Sequence, residues 1–198
     1  MTRAGCPVIV RRIAGAAALL LGLSAARQAG AAGYGIYEQG SRALGMAGAF
    51  TAQASDPSAI FFNPAGLTQL EGTQLNGGLH LIRIKWEFAG AAPFPGYGVK
   101  EESPGVLGTP VNLYATHRLG SRLTGGIGVY NPFGLKTEWS NPDTYTGRFV
   151  NREASITPFY ITPTLAVRLD DNLSVGGGLA IITSKIHLNR EVGNSDPL

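Results

Sequence analysis

Two short turns set fifty residues apart constrain this chain more than any other feature. Arg118-Leu119 and Leu123-Thr124 bracket the first turn, and Arg168-Leu169 and Leu173-Ser174 bracket the second. Each is followed by glycines at matching places, Gly126 and Gly128 after the first, Gly176 and Gly178 after the second. Between the turns the chain holds a strand-like segment, a long loop and a further strand-like segment. Short turn, strand, long loop, strand, repeated, is the pattern of an up-and-down antiparallel sheet, with tight turns at one end and long loops at the other.

Period-two patterning predicts five strands. In the first, within 73–88, Ile82, Ile84, Trp86 and Phe88 alternate with Arg83, Lys85 and Glu87. The pattern predicts the four apolar groups toward lipid, with an aromatic pair at the interface, and the charges toward a wet lumen. The second strand is expected over about 111–117 and the third over 123–130. The fourth covers about 155–169 with Phe159, Ile161, Leu165, Val167 and Leu169 in phase, and the fifth runs to about residue 188. Pro158 and Pro163 inside the fourth point to a bulge or an edge, because proline cannot donate to a ladder. The segments 89–108 and 131–150, rich in proline and glycine, read as long loops.

Residues 1–31 read as a secretory signal: Arg3, Arg11 and Arg12 precede an apolar run over 13–23, and Ala29-Gly30-Ala31 supplies small residues at the cleavage site. The mature chain is then expected to begin at Ala32. The segment carries four arginines and no acid, so its removal leaves 12 of the 16 basic residues against 13 acidic ones. The basic balance of the whole sequence is therefore a targeting feature, and nothing in it points to nucleic acid. No apolar run after residue 31 has the length of a transmembrane helix. With 44% hydrophobic and 15% charged residues and 28 glycines, the composition suits an outer-membrane β-barrel. A secreted structural or adhesive β-protein shares much of this composition and is the alternative reading.

Between the signal and the first strand, residues 32–71 fit neither strand nor long helix. Leu44, Ala47 and Phe50 form a short helical face interrupted by glycines. Pro57 and Pro64 divide Asp56-Pro57-Ser58-Ala59-Ile60-Phe61-Phe62-Asn63-Pro64-Ala65-Gly66-Leu67 into single turns. Asp56 and Asn63 are expected to cap those turns, and Gly66 to take a left-handed position. Ile60, Phe61 and Phe62 are apolar and lack enough surrounding chain to enclose them, which predicts that they pack inside a barrel or against a ligand.

No catalytic chemistry is written in the residues. His80, His117 and His187 match no metal-ligand spacing, and the glycine clusters at 125–128 and 176–178 lie within strands with no helix after them, which argues against a phosphate loop. No enzyme, metal or cofactor is expected. Gly126 and Gly128 are open to two readings: a kink that gates the wall, or room for close packing in the lumen. If the wall loosens where the third strand meets Asn131-Pro132, the turns at Asn63-Pro64-Ala65 are the expected partners of its free backbone groups.

The stretches Gly45-Met46-Ala47-Gly48-Ala49-Phe50, the twelve residues from Asp56 to Leu67, Pro132-Phe133-Gly134-Leu135 and Thr137-Glu138-Trp139 resemble the FadL/OmpP1/TodX family of outer-membrane transporters. The resemblance implies a fourteen-stranded all-β antiparallel transmembrane barrel with an N-terminal hatch of short turns and helices. Residues 32–71 would be the hatch and 72–198 the first strands and loops. Five strands cannot close a barrel, so the sequence is expected to be the N-terminal part of a longer protein. The implied partners are hydrophobic small molecules, either fatty acids or aromatic hydrocarbons, and the lipid of the outer membrane of a Gram-negative bacterium. Uptake would be passive, with sideways exit at a kink in the third strand. Asn63, Pro64, Ala65, Phe61, Phe62, Gly126 and Gly128 are the expected ligand or gate residues.

Overall fold

The computed structural model of the chain describes residues 34–192, so the expected signal segment and the last six residues lie outside it. Among the described residues, two short α-helices, α1 (Ser41–Gly45) and α2 (Ala59–Phe62), and a 3-10 helix (Pro64–Gln69) come first. Strands follow: β1 (Thr73–Leu79), β2 (Ile82–Ile84), β3 (Glu87–Ala89), β4 (Lys100–Glu102), β5 (Val106–Gly108), β6 (Val111–Arg118) and β7 (Leu123–Tyr130). The last four are β8 (Leu135–Glu138), β9 (Glu153–Arg168), β10 (Ser174–Gly178) and β11 (Ile181–Asn189).

These eleven strands make five antiparallel paths. The pairing of β1 with β6 continues without change of register into β2 with β5 and then, after a one-residue shift, into β3 with β4. The expected loop 89–108 is therefore shorter than its prolines suggest, because β4 and β5 extend the hairpin. β7 and β8 line one side of β9, and β10 and β11 line the other. The repeated turns are alike down to their bonds. Leu119 and Gly120 N–H donate to the Leu123 carbonyl at 2.9 and 3.2 Å, and Leu169 and Asp170 N–H donate to the Leu173 carbonyl at the same two distances.

The fourth strand is neither bulged nor at an edge: β9 runs sixteen residues through the middle of the sheet. Both prolines survive there because each points its missing N–H at a gap in a neighbouring path. Pro158 faces the interruption between β7 and β8, where its carbonyl accepts a hydrogen bond from the Asn131 side chain. Pro163 faces the interruption between β10 and β11, where its carbonyl accepts from Leu179 N–H at 3.1 Å. A residue's N–H and carbonyl point to the same side of a strand, so neither proline removes a ladder bond that a partner strand could have made.

The two faces of the sheet are inverted relative to a soluble protein. Even-numbered positions of β6, β7, β9 and β10 point to the covered face, which carries Tyr114, Thr116, Thr124, Thr162, Thr164 and Ala166. Odd-numbered positions carry Leu113, Ile127, Leu165, Val167 and Val175 and are bare. Leu75 is 76% exposed while Thr164 is 4% exposed. Burying hydroxyls and baring aliphatics is unfavourable in water and favourable in lipid, where an apolar outer band is what the solvent requires.

Along the first path the outer face changes character. Leu75, Leu79 and Leu81 stand on it, and then Arg83, Lys85 and Glu87 continue the same exposed row. The expected orientation of this segment is thus reversed: Ile82, Ile84, Trp86 and Phe88 turn inward, half-buried, and the charges face out. Alternation alone fixes which residues share a face and says nothing about which face meets lipid. Charged side chains are costly in lipid, so the change from leucine to charge after Leu81 marks where an apolar outer band on this path gives way to a water-facing surface.

Candidate functional site

The covered face of the sheet is occupied by the helical turns of residues 41–70. Asp56 caps the first of the expected turns, its Oδ1 accepting from Ser58 N–H at 2.8 Å and Ser58 Oγ at 2.6 Å. Asn63 does not cap the second. Its Nδ2 instead donates to the Thr51 carbonyl at 3.0 Å, tying the turn back to the preceding loop. Gly66 lies within the 3-10 helix and is not left-handed; it is packed against Ala54, which leaves no room for a side chain.

The helical turns seat in notches left by glycine. A Cβ on Gly126 or Gly128 would stand 3.0 Å from the Ile60 side chain, and one on Gly176 would lie 2.5–2.7 Å from the backbone of Pro64 and Ala65. Gly126 and Gly176 are equivalent positions of the fifty-residue repeat, and both receive the helical segment. The β7 ladder runs unbroken through Gly126 and Gly128, paired on both sides, and their missing side chains make room for Ile60. Thr68 closes the contact, its hydroxyl 2.9 Å from Ser174 Oγ and its carbonyl accepting from Arg168 Nη2 at 2.6 Å.

Phe61 and Phe62 divide their surface between wall and cleft. Phe61 meets Tyr130 edge-on at 5.4 Å, within a run of rings in which Tyr114 and Tyr160 flank Tyr130. Phe62 meets Phe61 at 4.9 Å and Phe50 at 5.4 Å. With Tyr37, Glu38, Leu44 and Thr51 the two phenylalanines line a cleft of about 640 Å³.

The third path breaks at Asn131-Pro132-Phe133-Gly134, between β7 and β8. The turns at Asn63-Pro64-Ala65, expected to satisfy the break, sit instead against Gly176 in the fifth path. The chain just before α1 takes the place: Ile36 N–H donates to the Pro132 carbonyl at 2.9 Å, Gly134 N–H to the Tyr34 carbonyl at 3.3 Å, and Gly35 pairs with Phe133 in an antiparallel bridge. Two amide side chains complete the cover. Asn131 Oδ1 accepts from Val111 N–H at 3.0 Å and Nδ2 donates to Pro158 O at 2.6 Å, joining β6 to β9 across the gap. Gln39 donates to the carbonyls of Asn131 and Ile36 and accepts from Tyr114 OH. Sequence reasoning missed both amides. Asn131 carried a signal, an asparagine followed by proline at a strand end; Gln39 carried none.

At the long-loop end, Trp139 stacks on Tyr145 at 4.1 Å beside a second cleft of about 410 Å³ that Lys100 and Glu101 also line. Glu101 Oε1 accepts from Thr146 N–H and Oγ1, and burial, with the Glu101 carboxylate adding, pushes the Tyr145 phenol up from its ordinary pKa. His80, His117 and His187 lie apart, beside Asn112, Thr73 and Glu153 respectively.

The family model for outer membrane protein transport proteins (OMPP1/FadL/TodX) matches residues 22–197. The chain belongs to this family. It is an outer-membrane β-barrel chain of a Gram-negative bacterium, and the family is one of transport proteins and not of enzymes. A protein of Neisseria meningitidis serogroup B, named as an outer membrane protein, is 39% identical over 127 residues, which are 61% of this chain and 27% of that one. The crystal structure of a Pseudomonas aeruginosa FadL homologue matches 79% of this chain with a TM-score of 0.59 at 20% identity, and the match covers 39% of the homologue. At that identity the likeness establishes the fold. The chain spans about a quarter of the curated relative and two fifths of the structural one.

Proposed function

We infer that this chain supplies the plug and the leading wall of a passive transporter for hydrophobic small molecules, long-chain fatty acids or aromatic hydrocarbons, and that the break at 131–134 is where the ligand leaves for the membrane. The observation that carries the reading is the cover of that break. The interruptions between β1 and β2 and between β10 and β11 are bridged by backbone bonds from the neighbouring path, whereas here a segment from outside the sheet, residues 34–36, and two amide side chains meet the free backbone groups. Backbone facing lipid must be bonded within the protein. A short cover meets that demand and is removable, because withdrawing it costs a few hydrogen bonds and leaves the ladders on either side intact.

The helical turns act as the plug, with Ile60 and Pro64-Ala65 in the glycine notches and Phe61 and Phe62 presented to the ligand. Asn63 holds the turns together. Gly126 and Gly128 are the surface over which the plug moves. The driving force is burial: an apolar ligand leaving water gains roughly 0.8 kcal/mol per methylene, enough to drive binding without a nucleotide. Sideways release returns it to lipid without crossing a wet lumen.

Gly35 and Phe133 form a non-hydrogen-bonded antiparallel pair, in which Cα atoms stand about 4.5 Å apart, within the range of a disulfide. In the protein expressed from its full reading frame, a Gly35→Cys, Phe133→Cys pair should stop uptake of labelled oleate or toluene when oxidised. Ligand binding should persist and reduction should restore uptake. Normal uptake through the oxidised tether would reject the break as the exit.

A further inference from the structure

Gln39 is 1% exposed, and each of its amide protons has an acceptor: Nε2 donates to the Asn131 carbonyl at 2.8 Å and to the Ile36 carbonyl at 3.0 Å. Its Oε1 accepts from Tyr114 OH at 3.0 Å, and Tyr114 is itself fully buried in β6. One side chain thus joins three elements: the segment that covers the break, the first residue of the break and the inner face of the adjacent wall. Asn131, 5% exposed, is already committed by its side chain to β6 and β9, so its carbonyl is the remaining group through which the cover is held to it. When the cover lifts, a buried carbonyl, a buried phenol and a buried carboxamide lose partners together. Such a loss resists opening more than the two backbone bonds of residues 34–36 do alone, because each orphaned buried group adds its own desolvation penalty.

We propose that Gln39 is the latch of the wall, a positioning residue whose hydrogen bonds hold residues 34–36 on the break and set how often it opens. The proposal rests on the exit reading for its link to transport, but the latch itself is measurable without any ligand. Ile36 and Gly134 donate the two backbone bonds of the cover, so their amide hydrogen exchange in detergent-solubilised full-length protein reports opening directly. Gln39→Met keeps the length and loses every bond; Gln39→Glu keeps an acceptor for Tyr114 and loses at least one of the two donations, because a carboxyl group carries at most one proton. Both should speed exchange at 36 and 134 by roughly fivefold to thirtyfold, the change expected from losing one to two of the buried hydrogen bonds that hold the cover. The amides inside β7 and β9 should keep their protection. Tyr114→Phe, which spares both donations, should give a smaller rise at the same two sites and serves if Gln39→Glu does not fold.

A space-filling role makes the opposite prediction, since Gln39→Met would then be silent. Unchanged exchange in Gln39→Met, or acceleration spread evenly through the β7–β9 ladder, overturns the latch. Faster exchange at 36 and 134 together with unimpeded uptake through the oxidised 35–133 tether upholds the latch and removes the exit reading alone.

Discussion

Asn131 and Pro158 face each other across the break in the third path, and the asparagine carboxamide, 2.6 Å from the proline carbonyl through Nδ2, does there what a strand does elsewhere. Its Oδ1 reaches the Val111 N–H on the opposite side, so one side chain spans β6 to β9. The same gap explains why a proline is tolerated in the middle of the sheet.

Replacing Asn131 with alanine removes both bridges and leaves the half-buried Val111 N–H and the buried Pro158 carbonyl unpaired. The expected cost is roughly 2–4 kcal/mol, from two lost bonds of about 1 kcal/mol each plus the desolvation of their partners. Urea titration of the protein folded into lipid vesicles would measure it, and an unchanged midpoint would show that water or the cover segment replaces the bridge.

Alanine at Gly176 and at Gly126 should behave differently. At 176 the added methyl overlaps the Pro64-Ala65 backbone, which cannot rotate away, whereas at 126 its nearest contacts, at 3.0 Å, include the end of the flexible Ile60 side chain. Overpacking of the first kind costs about 1–3 kcal/mol and must displace the plug. Single-channel conductance in planar bilayers should rise for Gly176→Ala and change little for Gly126→Ala; equal traces would refute the notch assignment.

Pro158→Ala and Pro163→Ala should both assemble normally, since neither position has a ladder partner for the restored N–H. Thr162→Pro should not. Its N–H points toward Gly128 of β7, by alternation from the Arg168-to-Arg122 bond, and the ring would remove a wall bond facing lipid. The heat-modifiable folded band on gels separates the outcomes, and its survival in Thr162→Pro would contradict the assigned register.

The lipid boundary near residue 81 predicts an asymmetry along one face. Leu75→Arg should destabilise the folded protein by about 2–4 kcal/mol, the cost of a cation near the bilayer midplane. Arg83→Leu, two positions past the boundary residue Leu81 on the same row, should shift the urea midpoint little. Comparable losses from both substitutions would place the band elsewhere.

Much of the architecture was written locally. The fifty-residue repeat determined the turns, because their bonds are made within seven residues, and period-two alternation determined which side chains share a face. The inner tyrosines and threonines and the outer leucines and valines follow from that alternation once one face is known to meet lipid. Asp56 likewise caps its own neighbour, a contact that needs no partner beyond residue 58.

What the sequence by itself could not decide is everything carried by a contact between distant residues. The inward turn of Ile82, Ile84, Trp86 and Phe88 depends on where the lipid band stops, and alternation is silent on that. The continuity of β9 depends on gaps in two other paths, so its prolines looked like breaks when read alone. The cover of the 131–134 break depends on Gln39 meeting Asn131 and Tyr114 across 92 and 75 residues of chain. A buried amide is stabilised only by partners that the fold brings to it, and no spacing in the sequence announces partners so far away.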